Sequence, residues 1–157
     1  MKLIYALLIM LTCTQLFACG KDGNMPPATN PTDTTTIPDT DTTKMKITIG
    51  SAVFTASFSN NATARAFRAR LPLTINMADL NANEKHFDLP NSLPANSSNP
   101  GTIQVGDVML YGSNTLVLFY KSFSTQYSYT RIGRIDNTSG LTAALGSGNV
   151  MVKFELE

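Results

Sequence analysis

The sequence contains no tryptophan and a single histidine, His86. Its two cysteines, Cys13 and Cys19, both lie near the amino terminus, so the rest of the chain has no thiol for a disulfide, a thiolate metal site or nucleophilic catalysis. Charged residues make up only 15% of the 157 residues, and the 12 Lys and Arg nearly balance the 11 Asp and Glu. Because nucleic-acid binding favours a strongly basic surface, we expect no nucleic-acid partner.

The first eighteen residues, 1–18, are predicted to be a signal peptide. Lys2 supplies the positive start, and residues 3–11 form an uncharged apolar run that is too short to span a bilayer. Residues 16–20 (LFACG) then resemble the lipobox of bacterial lipoproteins. The resemblance implies that Cys19 is the lipidated first residue of the mature chain, with acyl chains such as palmitate. The alternative is an ordinary secretory signal cleaved near Ala18, with Cys19 left as a free thiol.

The next segment, residues 19–44, is predicted to be a disordered tether that follows the lipidated cysteine. Residues 26–43 are almost entirely Thr, Pro and Asp, without an apolar period that could build a core. We therefore expect a membrane-anchored protein of the bacterial cell envelope that faces the periplasm or the cell exterior.

Residues 45–157 are predicted to form a single domain, since their length suffices for one hydrophobic core. Short runs of alternating apolar and polar residues predict eight or so strands. A helix over residues 62–70 follows Asn60 and Asn61 as caps, and a second helix carrying Leu141 and Leu145 follows Asn137 or Thr138. Residues 79–101 are predicted to be an irregular loop that contains one short strand at 85–89. The strands are predicted at residues 45–49, 52–58, 73–77, 85–89, 102–105, 108–111, 116–120, 127–135 and 150–156.

This arrangement favours a mainly β fold, a closed β-barrel whose open ends the two helices cover. Residues 116–119 (LVLF) are apolar on both faces, which is typical of a central strand.

Several segments resemble cyclophilins in the same order along the chain. Residues 63–69 (TARAFRA) are similar to the first-helix pattern TAENFRA, and residues 100–104 (PGTIQ) to the strand pattern PGILS. Residues 112–119 (GSNTLVLF) stand where cyclophilins have NGSQFFI, and residues 131–135 (RIGRI) are similar to VFGKV. Residues 106–111 (GDVMLY) resemble the small bacterial cyclophilin-like proteins more closely. The resemblance implies a cyclophilin-like barrel over 45–157.

The resemblance also identifies what is missing from the isomerase site. Cyclophilins depend on an arginine in a strand after the first helix, which polarises the prolyl amide. The comparable residues here are 85–88 (KHFD), with Asp88 where the cation is needed. The barrier to prolyl rotation is about 18–20 kcal/mol. We therefore expect little or no isomerase activity.

Two groups of side chains are candidates for a binding site. Strand spacing places Glu84, His86 and Asp88 on one face, which fits a metal or acid–base site, or else a polar strand edge. A second group joins Arg131 to tyrosines on its own and neighbouring strands, which fits an anion or peptide site. The alternative there is tyrosines that close a barrel end, with Arg131 paired to an acid. The tyrosines of this group are Tyr111, Tyr120, Tyr127 and Tyr129.

The leading hypothesis is a lipid-anchored, non-enzymatic cyclophilin-like domain that binds a peptide, a protein or a small ligand in a cleft beside residues 79–101. We expect the cleft to contain His86, Asp88, Tyr111, Tyr120 and Arg131. We expect no catalytic residue, no metal and no cofactor. One alternative is a divergent prolyl isomerase or folding helper of the envelope, and another is a purely structural envelope protein.

Overall fold

The computed structural model describes residues 43–157. The predicted signal peptide, the lipidation of Cys19 and nearly all of the predicted tether lie outside the described residues. Within residues 43–157, no helix is long and apolar enough to cross a membrane.

Strands dominate the fold, and eight of them close into an antiparallel barrel. Along residues 43–157, the strands are β1 (Met45–Ile49), β2 (Ala52–Phe58), β3 (Leu73–Leu80), β4 (Glu84–Asp88), β5 (Thr102–Ile103), β6 (Asp107–Tyr111), β7 (Thr115–Phe119), β8 (Phe123–Ser124), β9 (Tyr129–Ile135) and β10 (Val150–Leu156), and the helices are α1 (Ala62–Arg68) and α2 (Leu141–Leu145). The order around the barrel is β1-β10-β3-β4-β7-β6-β9-β2, while β5 and β8 pair as a separate two-stranded sheet. The prediction of a mainly β, closed barrel of about eight strands with two helices is confirmed.

The alternation of residue types along the strands produces the barrel interior. In β1, for example, Met45, Ile47 and Ile49 are buried while the residues between them are partly exposed. Because successive side chains of a strand point to opposite faces, this pattern sends one set into the core. Phe154 of β10 is fully buried, and its ring meets the ring of Phe67 edge-on at 5.8 Å between centroids. Helix α1 thus covers one part of the core.

Strand β7 is buried on both faces, as its continuous apolar sequence predicts. Leu116 and Leu118 belong to the interior core, whereas Val117 and Phe119 belong to a second apolar cluster on the outer face of the barrel. Phe123 of β8 packs on this outer cluster. The small β5–β8 sheet was not predicted as a pair, because two-residue strands leave no periodic pattern to detect.

The helices begin differently from one another. Asn61 caps α1 as predicted, and its side-chain oxygen accepts a hydrogen bond from the backbone N–H of Ala64 at 2.8 Å. The prediction that Asn137 or Thr138 caps α2 is wrong: the cap is Gly140, with φ of 81° and no side-chain hydrogen bond. Asn137 instead accepts from the N–H of Ser139 at 3.0 Å, so it stabilises the turn that precedes the helix.

The segment 79–101 was predicted to be irregular apart from a short strand at 85–89, and β3 and β4 make more of its first half regular than predicted. Asp79 and Leu80 belong to β3 and pair with Lys85 and Glu84 of β4. The connecting turn has positive φ at Asn81 (53°) and Ala82 (52°). Because alanine rarely adopts positive φ, the sequence did not predict this turn. The irregular part is therefore confined to residues 89–101.

Candidate functional site

A cavity of about 290 Å³ opens on the outer face of the barrel, beside the β3–β4 turn. Strands β3, β4, β6, β7, β8 and β9 all contribute to its wall. The turn is fixed in place because the carbonyl of Asn83 accepts hydrogen bonds from the backbone N–H groups of Tyr120 (3.0 Å) and Lys121 (3.3 Å). The lining residues are Leu80, Asn81, Asn83, Glu84, His86, Tyr111, Thr115, Val117, Phe123, Tyr127 and Tyr129.

The register of β4 against β7 explains which side chains reach the cavity. Glu84 lies opposite Phe119 and His86 lies opposite Val117. Directly opposed residues of an antiparallel pair place their side chains on the same face, and both partners belong to the outer apolar cluster. The predicted common face of Glu84, His86 and Asp88 is therefore the outer one.

Aromatic rings form most of the opposite wall. The ring of Tyr111 meets that of Tyr127 edge-on at 6.0 Å and that of Tyr129 at 5.6 Å. Phe119 supports them from below, since its ring packs edge-on against Tyr129 at 5.5 Å and lies 5.8 Å from the ring of Phe123. Tyr111 and Tyr127 remain 44% and 63% exposed. They therefore form a rim that a ligand can reach.

Glu84 is the most unusual residue of the cavity. Its side chain is only 8% exposed, yet within residues 43–157 its carboxylate has neither a hydrogen-bond partner nor an ion-pair partner. Burial disfavours the charged form and raises the pKa of Glu84 to about 6. Burial of Tyr129, together with the nearby charge of Glu84, raises the pKa of the Tyr129 hydroxyl. The cavity thus contains a buried acid that the protein leaves uncompensated.

Two of the five predicted cleft residues line this cavity, His86 and Tyr111. The other three lie elsewhere. Asp88 stands at the end of β4 and accepts a hydrogen bond from the hydroxyl of Thr115 at 2.6 Å. Arg131 forms an ion pair with the buried carboxylate of Asp107, which is the arrangement that the alternative interpretation of Arg131 described.

Tyr120 is buried and belongs to the interior core. Its hydroxyl donates to Asp79 Oδ1 at 2.6 Å, and burial together with that carboxylate raises the pKa of Tyr120 to about 12. The same oxygen of Asp79 accepts from Lys85 Nζ at 2.7 Å. We call Lys85, Asp79 and Tyr120 the inner polar cluster. It lies on the opposite side of β4 from the cavity, because Lys85 opposes the core residue Leu118.

The predicted five-residue cleft omits several residues of the cavity. Glu84, Tyr127 and Tyr129 were members of the two candidate groups but were not placed in the cleft. Asn83 and Phe123 were missed altogether, because the turn and the short β8 carry no periodic signal. Throughout residues 43–157, no group of three or more His, Cys, Asp or Glu side chains is close enough to hold a metal ion.

Comparisons with known proteins agree with this architecture. A model of the Cyclophilin-like family matches residues 47–155. The chain is also similar to the solution structure of a hypothetical protein from Archaeoglobus fulgidus, with 21% identity and a TM-score of 0.53 over 71% of this chain and 92% of that one. At that identity the likeness concerns the fold. A comparison with curated proteins finds no match. The family match covers nearly all of the barrel, and the chain therefore belongs to the cyclophilin-like family.

Proposed function

We propose that this protein is a membrane-anchored cyclophilin-like domain that binds a peptide, a protein or a small ligand in the outer cavity and lacks efficient prolyl isomerase activity. The observation that carries the proposal is the cavity itself. It combines an aromatic wall and rim with a buried, unpartnered acid, and such a mixture of apolar surface and a few polar groups is typical of ligand sites.

The chemistry of the cavity supports binding rather than isomerisation. Neither arginine nor lysine is among its lining residues, so no cation is placed there to polarise a prolyl amide. Arg131, on neighbouring β9, is already paired with Asp107. His86 and Glu84 are lining residues that could serve the alternative, a divergent isomerase, as proton donors or acceptors.

The experiment is an NMR titration of the ¹⁵N-labelled full-length protein with a mixture of hexapeptides that each contain one proline. We expect the amide resonances of residues 80–86, 111 and 127–129 to shift, because these residues surround the cavity. We expect prolyl cis–trans exchange in the same samples to stay at the uncatalysed rate.

Tyr127→Ala removes part of the rim and should weaken the shifts severalfold, since an aromatic contact contributes about 0.5–1.5 kcal/mol. Val53→Ala is the matched control, because Val53 is an equally exposed apolar residue on β2 and does not line the cavity. Shifts that avoid the cavity, or that survive Tyr127→Ala, would contradict the proposed site. Catalysed exchange that His86→Ala abolishes would establish the isomerase instead.

The membrane anchor is a separate part of the proposal, and the lipobox-like residues 16–20 support it. In a bacterial expression host, we expect the wild-type protein in the membrane fraction and labelled by palmitate. Cys19→Ser should release it to the soluble fraction and abolish the label, because several acyl chains provide the membrane affinity. Cys13→Ser is the control and should remain membrane-bound, since Cys13 is removed with the signal peptide. A wild-type protein that is soluble and carries no palmitate label, and that Cys19→Ser does not change, would indicate the ordinary secretory signal instead.

A further inference from the structure

We propose that the outer cavity takes an organic cation that carries N–H donors, with the Glu84 carboxylate as its counter-ion and the tyrosine rings as its walls. The proposal rests on the proposed function, because it names the ligand class of the same cavity.

The polar atoms of the cavity that lack a partner are hydrogen-bond acceptors, so a ligand that binds them has to donate hydrogen bonds. As a whole residue Glu84 is more than nine-tenths buried, and its carboxylate, which lines the cavity, has no partner within residues 43–157. Asn83 adds a second acceptor, since its side-chain oxygen is buried without a hydrogen-bond partner in the part of the chain that the structure describes. An unsatisfied buried acceptor is costly, and a buried unpaired carboxylate more so. A cation with N–H groups satisfies the carboxylate, whereas an anion or a purely apolar ligand does not.

The aromatic wall suits the same cation. Tyr111 and Tyr127 stand with their rings nearly perpendicular, at 87°, and Tyr129 lies tilted beside Tyr111. The faces of tyrosine rings attract cations within about 6 Å of the ring centroid. Because no lysine or arginine lines the cavity, no side chain of the wall already occupies that position. The ligand therefore meets its counter-ion and its π-faces in one space.

The size of the cavity limits what can enter it to one amino-acid side chain or a small molecule of similar size. Its volume of about 290 Å³ is at the lower limit of small-molecule sites, which begin near 300 Å³. A lysine side chain of a peptide or a free alkylamine fits that description. Both present the same ammonium group, so the experiment has to separate the two sources.

The test uses isothermal titration of the full-length protein at pH 8 with three probes: Nα-acetyl-lysine amide, n-butylamine and the neutral Nα-acetyl-norleucine amide. We expect the lysine probe to bind at least tenfold more tightly than the norleucine probe, as a charge-assisted hydrogen bond predicts. A butylamine affinity equal to that of the lysine probe indicates a free amine as ligand, and a weaker one indicates a peptide lysine.

Three variants assign the effect to named residues. Glu84→Gln should weaken the lysine probe about tenfold or more and leave the norleucine probe unchanged. Tyr127→Ala should weaken the lysine probe roughly two- to fivefold through the lost cation–π contact. Asp88→Asn, an acid on the same strand outside the cavity, is the control and should leave all three affinities unchanged.

Binding of the lysine probe should also weaken as the pH falls from 8 to 5, because Glu84 becomes neutral near pH 6. The other titratable groups that face the cavity are His86, Tyr111, Tyr127 and Tyr129. Glu84→Gln is titrated in parallel and should lose most of the pH dependence. The same experiment in His86→Ala should retain it.

Equal binding of the lysine and norleucine probes would overturn the cation inference and leave the cavity as a binding site. Failure of the lysine probe to bind would overturn the inference as well. Failure of all probes together with silent cavity resonances in the peptide titration would overturn the proposed function too. Unchanged affinity in Glu84→Gln would remove Glu84 as the counter-ion.

Discussion

Lys85→Ala is expected to lower the free energy of unfolding by about 3–5 kcal/mol, the usual effect of removing one partner from a buried ion pair. Lys85 is fully buried, and its ammonium donates to Asp79 Oδ1 at 2.7 Å. It also donates to the carbonyls of Gly146 at 3.0 Å and Gly148 at 2.6 Å. A single side chain thus satisfies three acceptors and ties β4 to the loop between α2 and β10. Chemical denaturation of the purified full-length protein measures the loss.

Two further variants separate the hydrogen bonds of Lys85 from its packing. Lys85→Met keeps most of the apolar stem and removes the ammonium, so it should retain most of the destabilisation. Lys121→Ala removes an exposed lysine and should change stability by no more than about 0.5 kcal/mol. The pKa of Asp79, which the hydrogen bonds from Lys85 and Tyr120 hold below its usual range, should rise in both Lys85 variants. A Lys85→Met protein as stable as the wild type would contradict the assigned role.

The sequence predicted the barrel well because the barrel depends on side-chain period. The bounds of β1 and β2 follow directly from strict alternation, and the burial of β7 on both faces follows from its continuous apolar sequence. The alternation of apolar and polar residues carries no information where the chain turns. The β3–β4 turn, with positive φ at Ala82, and the two-residue β8 were therefore missed.

The cavity was predicted only in part, for a related reason. Alternation placed Glu84, His86 and Asp88 on one face correctly, but a face does not say how far along it a cavity extends. His86 faces the cavity, whereas Asp88, two residues on, is already at the strand end beside Thr115. Tyr120 illustrates the opposite problem. Its residue type suits a cleft, yet its place just after β7 sends it into the core, where Asp79 accepts a hydrogen bond from its hydroxyl.

The charged residues on the two faces of β4 differ in whether they have partners. Lys85 points into the core and is surrounded by acceptors, so its burial stabilises the fold. Its neighbour Glu84 points outward under aromatic rings and has no partner within residues 43–157. A group that serves only the fold is normally compensated, as Lys85 is. The proposed organic cation would compensate the Glu84 carboxylate.

Glu84→Gln is accordingly expected to raise the free energy of unfolding by about 2 kcal/mol above pH 6, an unusual result for a buried position. The pKa of Glu84 rises from 4.5 to about 6 on folding, and each pKa unit corresponds to about 1.4 kcal/mol. Between these two values the folded protein binds more protons than the unfolded chain, so the wild type loses stability as the pH rises through this window. Glutamine has a similar shape and cannot ionise. The stabilisation should therefore shrink toward zero below pH 4.5.

Glu155→Gln provides the control with the opposite sign. The ammonium groups of Lys153 and Lys46 hold the pKa of Glu155 below its usual value, so its charge favours folding and that contribution is lost as the pH falls. Removing that charge should not stabilise the protein at any pH. Denaturation curves of both variants at pH 4.5 and pH 8 measure the difference. If Glu84→Gln were less stable than the wild type at pH 8, the carboxylate would have a compensating partner in the free protein. The Glu84 carboxylate would then not require a bound cation as its counter-ion.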